Sequence, residues 1–207
     1  MPLHILIPCK ALASGKSRLS PMLSAWERAA LCAALLERTL DCAIDTVPAE
    51  RCHVVSADPA VARAAAARRV PSVAEPLEAG LNGALGFARD AICAGAPDAA
   101  LLVLPIDLPL ASPRALRRLV EAGGDVVAAT DRRGLGTNAL YLAAAAVPCF
   151  AFRFGPGSLA AHRAAAAEQG LGFRLAEASD LAFDLDEPAD LREWRAGLSA
   201  AAAPRRP

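Results

Sequence analysis

Residues 100–105 of this 207-residue chain, Ala-Leu-Leu-Val-Leu-Pro, are apolar without a break. A strand with one wet face alternates polar and apolar residues; a strand buried on both faces does not. The run therefore predicts an inner strand of a parallel sheet with helices on both sides. Neighbouring segments fit the same pattern. His4-Ile-Leu-Ile-Pro8, Cys52 to Ala57, Val70 to Ala74, Asp125 to Thr130 and Asn138 to Leu142 read as further strands. Ser24-x-x-Glu27 is a capping box that opens a helix through Ile44. Asp58-Pro59 and Ser112-Pro113 pair an N-cap residue with proline at the first helical position. The helix after Asp58 is expected to reach about Arg69, and another starts at Gly80.

The second part of the chain is less regular. Gly155 to Gln169 reads as a loop entering a helix, Phe173 to Ala176 and Leu181 to Leu185 as short strands, and Glu187 to Leu198 as a final helix. Residues 199–207, rich in alanine, proline and arginine, are expected to be disordered, leaving 1–198 as one domain. The expected fold is α/β and doubly wound, with ligands at the carboxyl ends of the strands.

Composition narrows the function classes. With a net charge of zero and a pI near 6.8, the chain has no overall field to attract nucleic acid or anionic lipid. No uncharged apolar stretch of 18 residues is present, so no membrane span is expected. The apolar start is too short for a signal peptide core, and the cytoplasm is the expected location. Six scattered cysteines, without C-x-x-C or a histidine at metal spacing, suggest buried thiols in a reducing compartment. Cys9, beside a basic loop, is a candidate for a depressed pKa.

That loop holds the most unusual use of residues. Of 22 basic residues only two are lysines, and both lie in Lys10-Ala-Leu-Ala-Ser-Gly-Lys16-Ser-Arg18. An ammonium is a compact point charge on a flexible stem, suited to a moving phosphate chain, whereas guanidinium is a planar fork. Lys10, Lys16 and Arg18 therefore read as a polyphosphate clamp, against the alternative of a solvated basic turn. Gly15-Lys16-Ser17 matches the second half of a P-loop, but that motif requires glycine where Lys10 stands.

Carboxylates are candidates for the opposite pole. Asp107 follows the apolar strand between Pro105 and Pro109, at the expected ligand edge of the sheet. Asp184 and Asp186 share a face of an extended segment, where two carboxylates repel unless a cation lies between them. Hard oxygen ligands beside a phosphorylated substrate suggest magnesium on Asp107, Asp184 and Asp186. The competing reading makes Asp186 only the N-cap of the last helix. Gly134-Leu-Gly136-Thr137-Asn138 and Phe154-Gly155-Pro-Gly-Ser158 form a glycine-rich pair whose helix N-terminus and hydroxyls could hold a second phosphate. His162 lies one turn after Ser158. Asn82 either caps its helix or touches the nucleotide.

In order along the chain, Pro8-Cys-Lys10, Lys16-Ser-Arg18, Gly80-Leu-Asn82, Asp107-Leu-Pro, Gly136-Thr-Asn-Ala-Leu140, Phe154-Gly155-x-Gly-Ser158-x-x-x-His162 and Asp184-x-Asp186 resemble the 2-phospho-L-lactate guanylyltransferases of coenzyme F-420 biosynthesis. The resemblance runs from about Leu3 to Leu191. It implies a Rossmann-like, doubly wound mixed sheet of the nucleotidyltransferase (nucleotide-diphospho-sugar transferase) type. It also implies GTP as donor, magnesium, and a small phosphorylated carboxylic acid as acceptor: 2-phospho-L-lactate, phosphoenolpyruvate or 3-phosphoglycerate. By the same match Thr137, Gly155 and Ser158 would hold the acceptor, with Asn82, Asn138 and His162 as further substrate-binding candidates. Lys10, Lys16, Arg18 and Asp107 would be catalytic, and a homodimer is compatible with this reading. Cys9 and Arg132-Arg133 depart from the pattern, the arginines at a place where they could alter acceptor choice. A transferase of the same fold acting on a molybdopterin or sugar phosphate, and a nucleotide-binding module without catalysis, remain the alternatives.

Overall fold

The computed structural model describes residues 1–76 and 79–202. Seven strands form one sheet: β1 (Leu3–Pro8), β2 (Cys52–Ser56), β3 (Ser72–Ala74), β4 (Ala100–Val103), β5 (Val126–Thr130), β6 (Thr137–Leu142) and β7 (Phe173–Leu175). Their order is β3-β2-β1-β4-β6-β5-β7. β6 runs antiparallel to both β4 and β5, and the other pairings are parallel. All four residues of β4 are buried, as its uninterrupted apolar sequence requires.

The helices are α1 (Ala25–Ile44), α2 (Pro59–Ala66), α3 (Gly80–Gly95), α4 (Pro113–Glu121), α5 (Ser158–Glu168), α6 (Ser179–Ala182) and α7 (Pro188–Ala202). Two buried clusters show the double winding. On one face Ile5, Ile7, Val54 and Leu102 pack with Leu36 and Leu40 of α1, Val61 of α2 and Leu116 of α4. On the other, Leu6, Val55, Leu101 and Leu140 pack with Leu85 and Ala88 of α3 and Ala165 of α5. Each such aliphatic side chain contributes roughly 1.5–3 kcal/mol on burial. The Ser24 capping box and the caps at Asp58 and Ser112 form as expected.

Three boundaries differ from expectation. Helix α2 ends at Ala66, because Arg69 enters the left-handed region at φ 59° and turns the chain toward β3. The strand expected at Leu181 to Leu185 does not form, and residues 179–182 make the short helix α6 instead. Leu181 is buried there against the sheet, and a one-turn helix buries it as well as a strand would. The final helix runs through Ala202, four residues into the expected tail; residues 203–207 lie outside the described residues. Among the described residues no helix is long and apolar enough to cross a membrane.

The lysine loop connects β1 to α1 through short 3-10 turns at Leu12–Ser14 and Ser17–Leu19. It lies so close to α1 that a Cβ on Gly15 would stand 2.5 Å from the Cys32 sulfur. Cys32 is itself buried, so a methyl at position 15 fits only if that sulfur shifts. Gly15→Ala should cost about 1–3 kcal/mol of stability by overpacking. Combined with Cys32→Ala the total should fall below the sum of the two single effects, read from denaturant unfolding; strict additivity would show that the loop does not sit on α1 this closely.

Candidate active site

Chain connections go from β1 outward to β2 and β3, then return to place β4 on the other side of β1. The loops after β1 and β4 therefore flank the point where the winding reverses, the usual crevice for ligands in such sheets. A cleft of about 510 Å³ opens there. Lys10, Lys16, Arg18, Asp107, Thr137, Asn138, Gly155, Ser158, Asp184 and Asp186 all line it. Asn82 and His162 do not.

At its centre the Lys16 ammonium donates to carboxylate oxygens of Asp107 and, at 2.8 Å, of Asp186. These residues are 91 and 170 positions away in sequence. A backbone bond joins the two acidic segments, with the Leu185 N–H donating to the Asp107 carbonyl at 2.9 Å. A small apolar cluster of Leu19, Leu23, Phe183, Leu185 and Leu191 ties the end of the lysine loop to the segment that carries Asp184 and Asp186. Lys16 adopts φ 54° and ψ 37°, a left-handed conformation that costs a non-glycine residue about 1–2 kcal/mol. Only 4% of its side chain is exposed. Burial alone would lower the pKa of the ammonium, but Asp107 and Asp186 outweigh it and hold the pKa above the usual lysine value. Lys16 is therefore charged at neutral pH.

Asp186 is not the N-cap of the last helix. The helix starts at Pro188, and Asp190 in its first turn accepts from the backbone N–H groups of Asp186 and Glu187, which leaves the Asp186 side chain to Lys16. Asp184 lines the same cleft, half-buried, with its pKa raised first by burial and then by the Asp186 and Asp190 charges. The three acids are not drawn into a cage. Among the described residues no three His, Cys, Asp or Glu side chains stand close enough to hold a metal ion. The cation that Asp107 and Asp186 do hold is the Lys16 ammonium. Lys10 and Arg18 are exposed, and their side chains have no carboxylate partner among the described residues.

One strand beyond Asp107, the glycine-rich segments meet. The Thr137 N–H donates to Ser158 Oγ at 2.8 Å, and Thr137 Oγ1 lies 2.9 Å from His162 Nδ1. His162 is fully buried, not at the surface. Its Nε2 receives the Arg153 N–H at 2.9 Å, so Nε2 carries no proton and Nδ1 must be the donor to Thr137. Burial, then the Arg153 charge, lowers the His162 pKa to about 4, keeping the ring neutral. Both hydroxyl oxygens thus accept from behind, and both O–H groups remain free to donate into the cleft. Two adjacent hydroxyl donors suit a phosphate oxygen.

The expected free N–H cup at the start of α5 is largely spent. The Ser158, Leu159 and Ala161 N–H groups donate to the Gly155, Leu135 and Gly157 carbonyls. Gly155, at φ 138°, occupies backbone space closed to other residues and turns Ser158 toward Thr137. Asn82 serves this turn from outside the cleft. Its side-chain amide donates to the Phe154 carbonyl and its oxygen accepts the Phe154 N–H, as a paired strand would. Asn138 likewise braces the site, with its amide on the Leu181 carbonyl.

Two further expectations fail. Burial pushes the Cys9 thiol up to about 12, so it is an apolar filler of the core and not a nucleophile. Arg132 sits 4.4 Å over the Phe183 ring and pairs with Asp190 and Glu193, bracing the β5–β6 loop against α7. Arg133, 73% exposed, pairs with Glu187. Neither arginine lines the cleft.

Over residues 3–196 the chain matches the family model described as "Guanylyl transferase CofC like". The chain belongs to this family. A phosphoenolpyruvate guanylyltransferase of Rubrobacter xylanophilus is 39% identical over the full length of both chains. A 2-phospho-L-lactate guanylyltransferase of Halomicrobium mukohataei is 37% identical, over 92% of this chain and 84% of its own. In fold the chain resembles a nucleotidyl transferase from Methanothermobacter thermautotroptrophicus, with a TM-score of 0.69 at 18% identity over 97% and 99% of the two chains. The sheet is that of the nucleotidyltransferases.

The unfolded His162 titrates near 6.5 and the folded one near 4, so between these values the unfolded chain binds more protons. The stability contributed by His162 is complete above pH 6.5 and is lost as pH falls toward 4. A His162→Gln variant should show a shallower loss of unfolding free energy than wild type across that interval. Equal slopes in urea titrations would mean that the ring is not held neutral.

Proposed function

We propose that this chain transfers GMP from GTP to a phosphorylated three-carbon acid, releasing pyrophosphate, as a step of coenzyme F-420 biosynthesis. The observation that carries this reading is the meeting of Asp107 and Asp186 on Lys16 at the winding reversal, with the Thr137 and Ser158 hydroxyls one strand away. Family membership supports guanine as the base and 2-phospho-L-lactate, phosphoenolpyruvate or 3-phosphoglycerate as acceptor.

The acceptor phosphate lies on Thr137 and Ser158, and one of its oxygens attacks the α-phosphorus of GTP. The new P–O bond forms as the α–β anhydride bond breaks and pyrophosphate departs with the electron pair. The second pKa of a phosphate monoester is about 6, so the nucleophile is already largely ionised and no general base is required. Catalysis then rests on alignment and on neutralising charge. Lys10 and Arg18, without carboxylate partners among the described residues, hold the β- and γ-phosphates, and Lys16 would join them if its two acids held another cation.

Magnesium fits that exchange. It commonly uses one or two carboxylates and fills the rest of its shell from substrate phosphates and water. Asp107 and Asp186 supply the two, and Asp184 stands beside them in the cleft. When bound, the ion would supply charge neutralisation on the phosphates.

Mass spectrometry of products from GTP with each of the three acceptors should show pyrophosphate and, with at least one of them, a phosphoanhydride that joins GMP to the phosphate of the acid. Asp186→Asn should lower turnover about a hundredfold or more with the fold intact. Lys16→Ala should chiefly weaken GTP use. No coupled product with any of the three acids, or an Asp186→Asn enzyme at wild-type rate, would overturn the reading.

A further inference from the structure

Five acids line the cleft, and four are engaged there. Asp107 and Asp186 hold Lys16; Asp131 accepts the Leu135 and Gly136 N–H groups; Asp184 faces the Asn138 amide. The fifth is Glu75. Its backbone N–H is fixed to the Ser56 carbonyl just beyond the end of β3, yet its carboxylate has no hydrogen-bond or ionic partner among the described residues.

An unpaired carboxylate is out of place in a cleft that receives a triphosphate and a phosphorylated acid, since it repels both. It is tolerable only where the ligand turns N–H donors toward it. Position along the sheet says which part of the ligand that is. Glu75 follows β3, two strands from β1 and four from β6. At about 4.8 Å per strand it lies roughly 10 Å from the lysine loop and 19 Å from Thr137. With phosphates at the loop and acceptor at Thr137, what remains beside Glu75 is the nucleoside. The wall there is apolar, made by Val55, Leu81, Ala84 and Pro8, and suits a flat ring. Among the common bases guanine has two adjacent donors, N1–H and the 2-amino group, which match the two oxygens of one carboxylate. Adenine presents a lone-pair acceptor in place of N1–H.

We propose that Glu75 is the residue that selects guanine, accepting from N1–H and the 2-amino group. This rests on the guanylyltransferase reading above.

The test compares GTP with ITP, which lacks only the 2-amino group, and with ATP, in wild type, Glu75→Gln and Glu75→Ala. Affinity is read by calorimetry without acceptor, and kcat/KM with the acceptor that wild type uses. Wild type should prefer GTP to ITP by about tenfold or more, the worth of one hydrogen bond to a charged group. Both variants should lose GTP affinity by about that factor or more, bring the GTP-to-ITP ratio close to one, and leave acceptor KM unchanged. A GTP-to-ITP ratio preserved in both variants would overturn the assignment, as would a change confined to acceptor KM. Failure of the underlying reading looks different: wild type itself would neither bind nor turn over GTP.

Discussion

The Lys16 ammonium, held between Asp107 and Asp186, is the contact on which the site depends. It draws together three segments far apart in the chain and satisfies a buried cation that would otherwise be costly. It also stabilises the left-handed backbone of Lys16, which no glycine relieves. The apolar cluster around Leu19, Phe183 and Leu185 supports the ion pairs by packing the same two segments side by side. The arrangement is suited to exchange. Asp107 and Asp186 are each 40% exposed at the side chain, so both carboxylates are open to the cleft while the lysine between them is buried.

Chemistry is then distributed across the sheet in strand order. The β3–β2 side offers an apolar wall and a carboxylate unpartnered among the described residues, the β1–β4 junction offers cations and acids, and β6 offers hydroxyl donors. The polarity of those donors is imposed from behind. Arg153, by donating to His162, fixes the ring tautomer, and the ring in turn leaves the Thr137 hydroxyl hydrogen for the cleft. A buried neutral histidine thereby orders a cleft it does not line.

Much of this was legible in sequence because the signals were local. The unbroken apolar run of β4, the Ser24 capping box and the Asp58-Pro59 start each carry their own physical cause. Confinement of both lysines to one loop marked a segment that lines the cleft. The misreadings arose where tertiary partners decide. A one-turn helix at 179–182 buries the same leucine as a strand would. Arg132 next to a glycine-rich turn looked like a ligand contact until Phe183, Asp190 and Glu193 engaged it. The N-terminus of α5 promised free N–H groups, but carbonyls from its own loop and from Leu135 had taken them. Asn82 and His162 belong to the site's frame rather than its lining, and only their partners reveal that. Glu75 carried no motif; its isolation is visible only once the other acids have found partners.

The central claim is that Asp107 and Asp186 are the seat of the catalytic cation and that Lys16 occupies it until nucleotide arrives. Manganese bound in the presence of a non-hydrolysable GTP analogue, counted by electron paramagnetic resonance, tests it most directly. The account predicts tight manganese on wild type and its loss in both Asp107→Asn and Asp186→Asn. Wild-type manganese binding retained by both variants would contradict it.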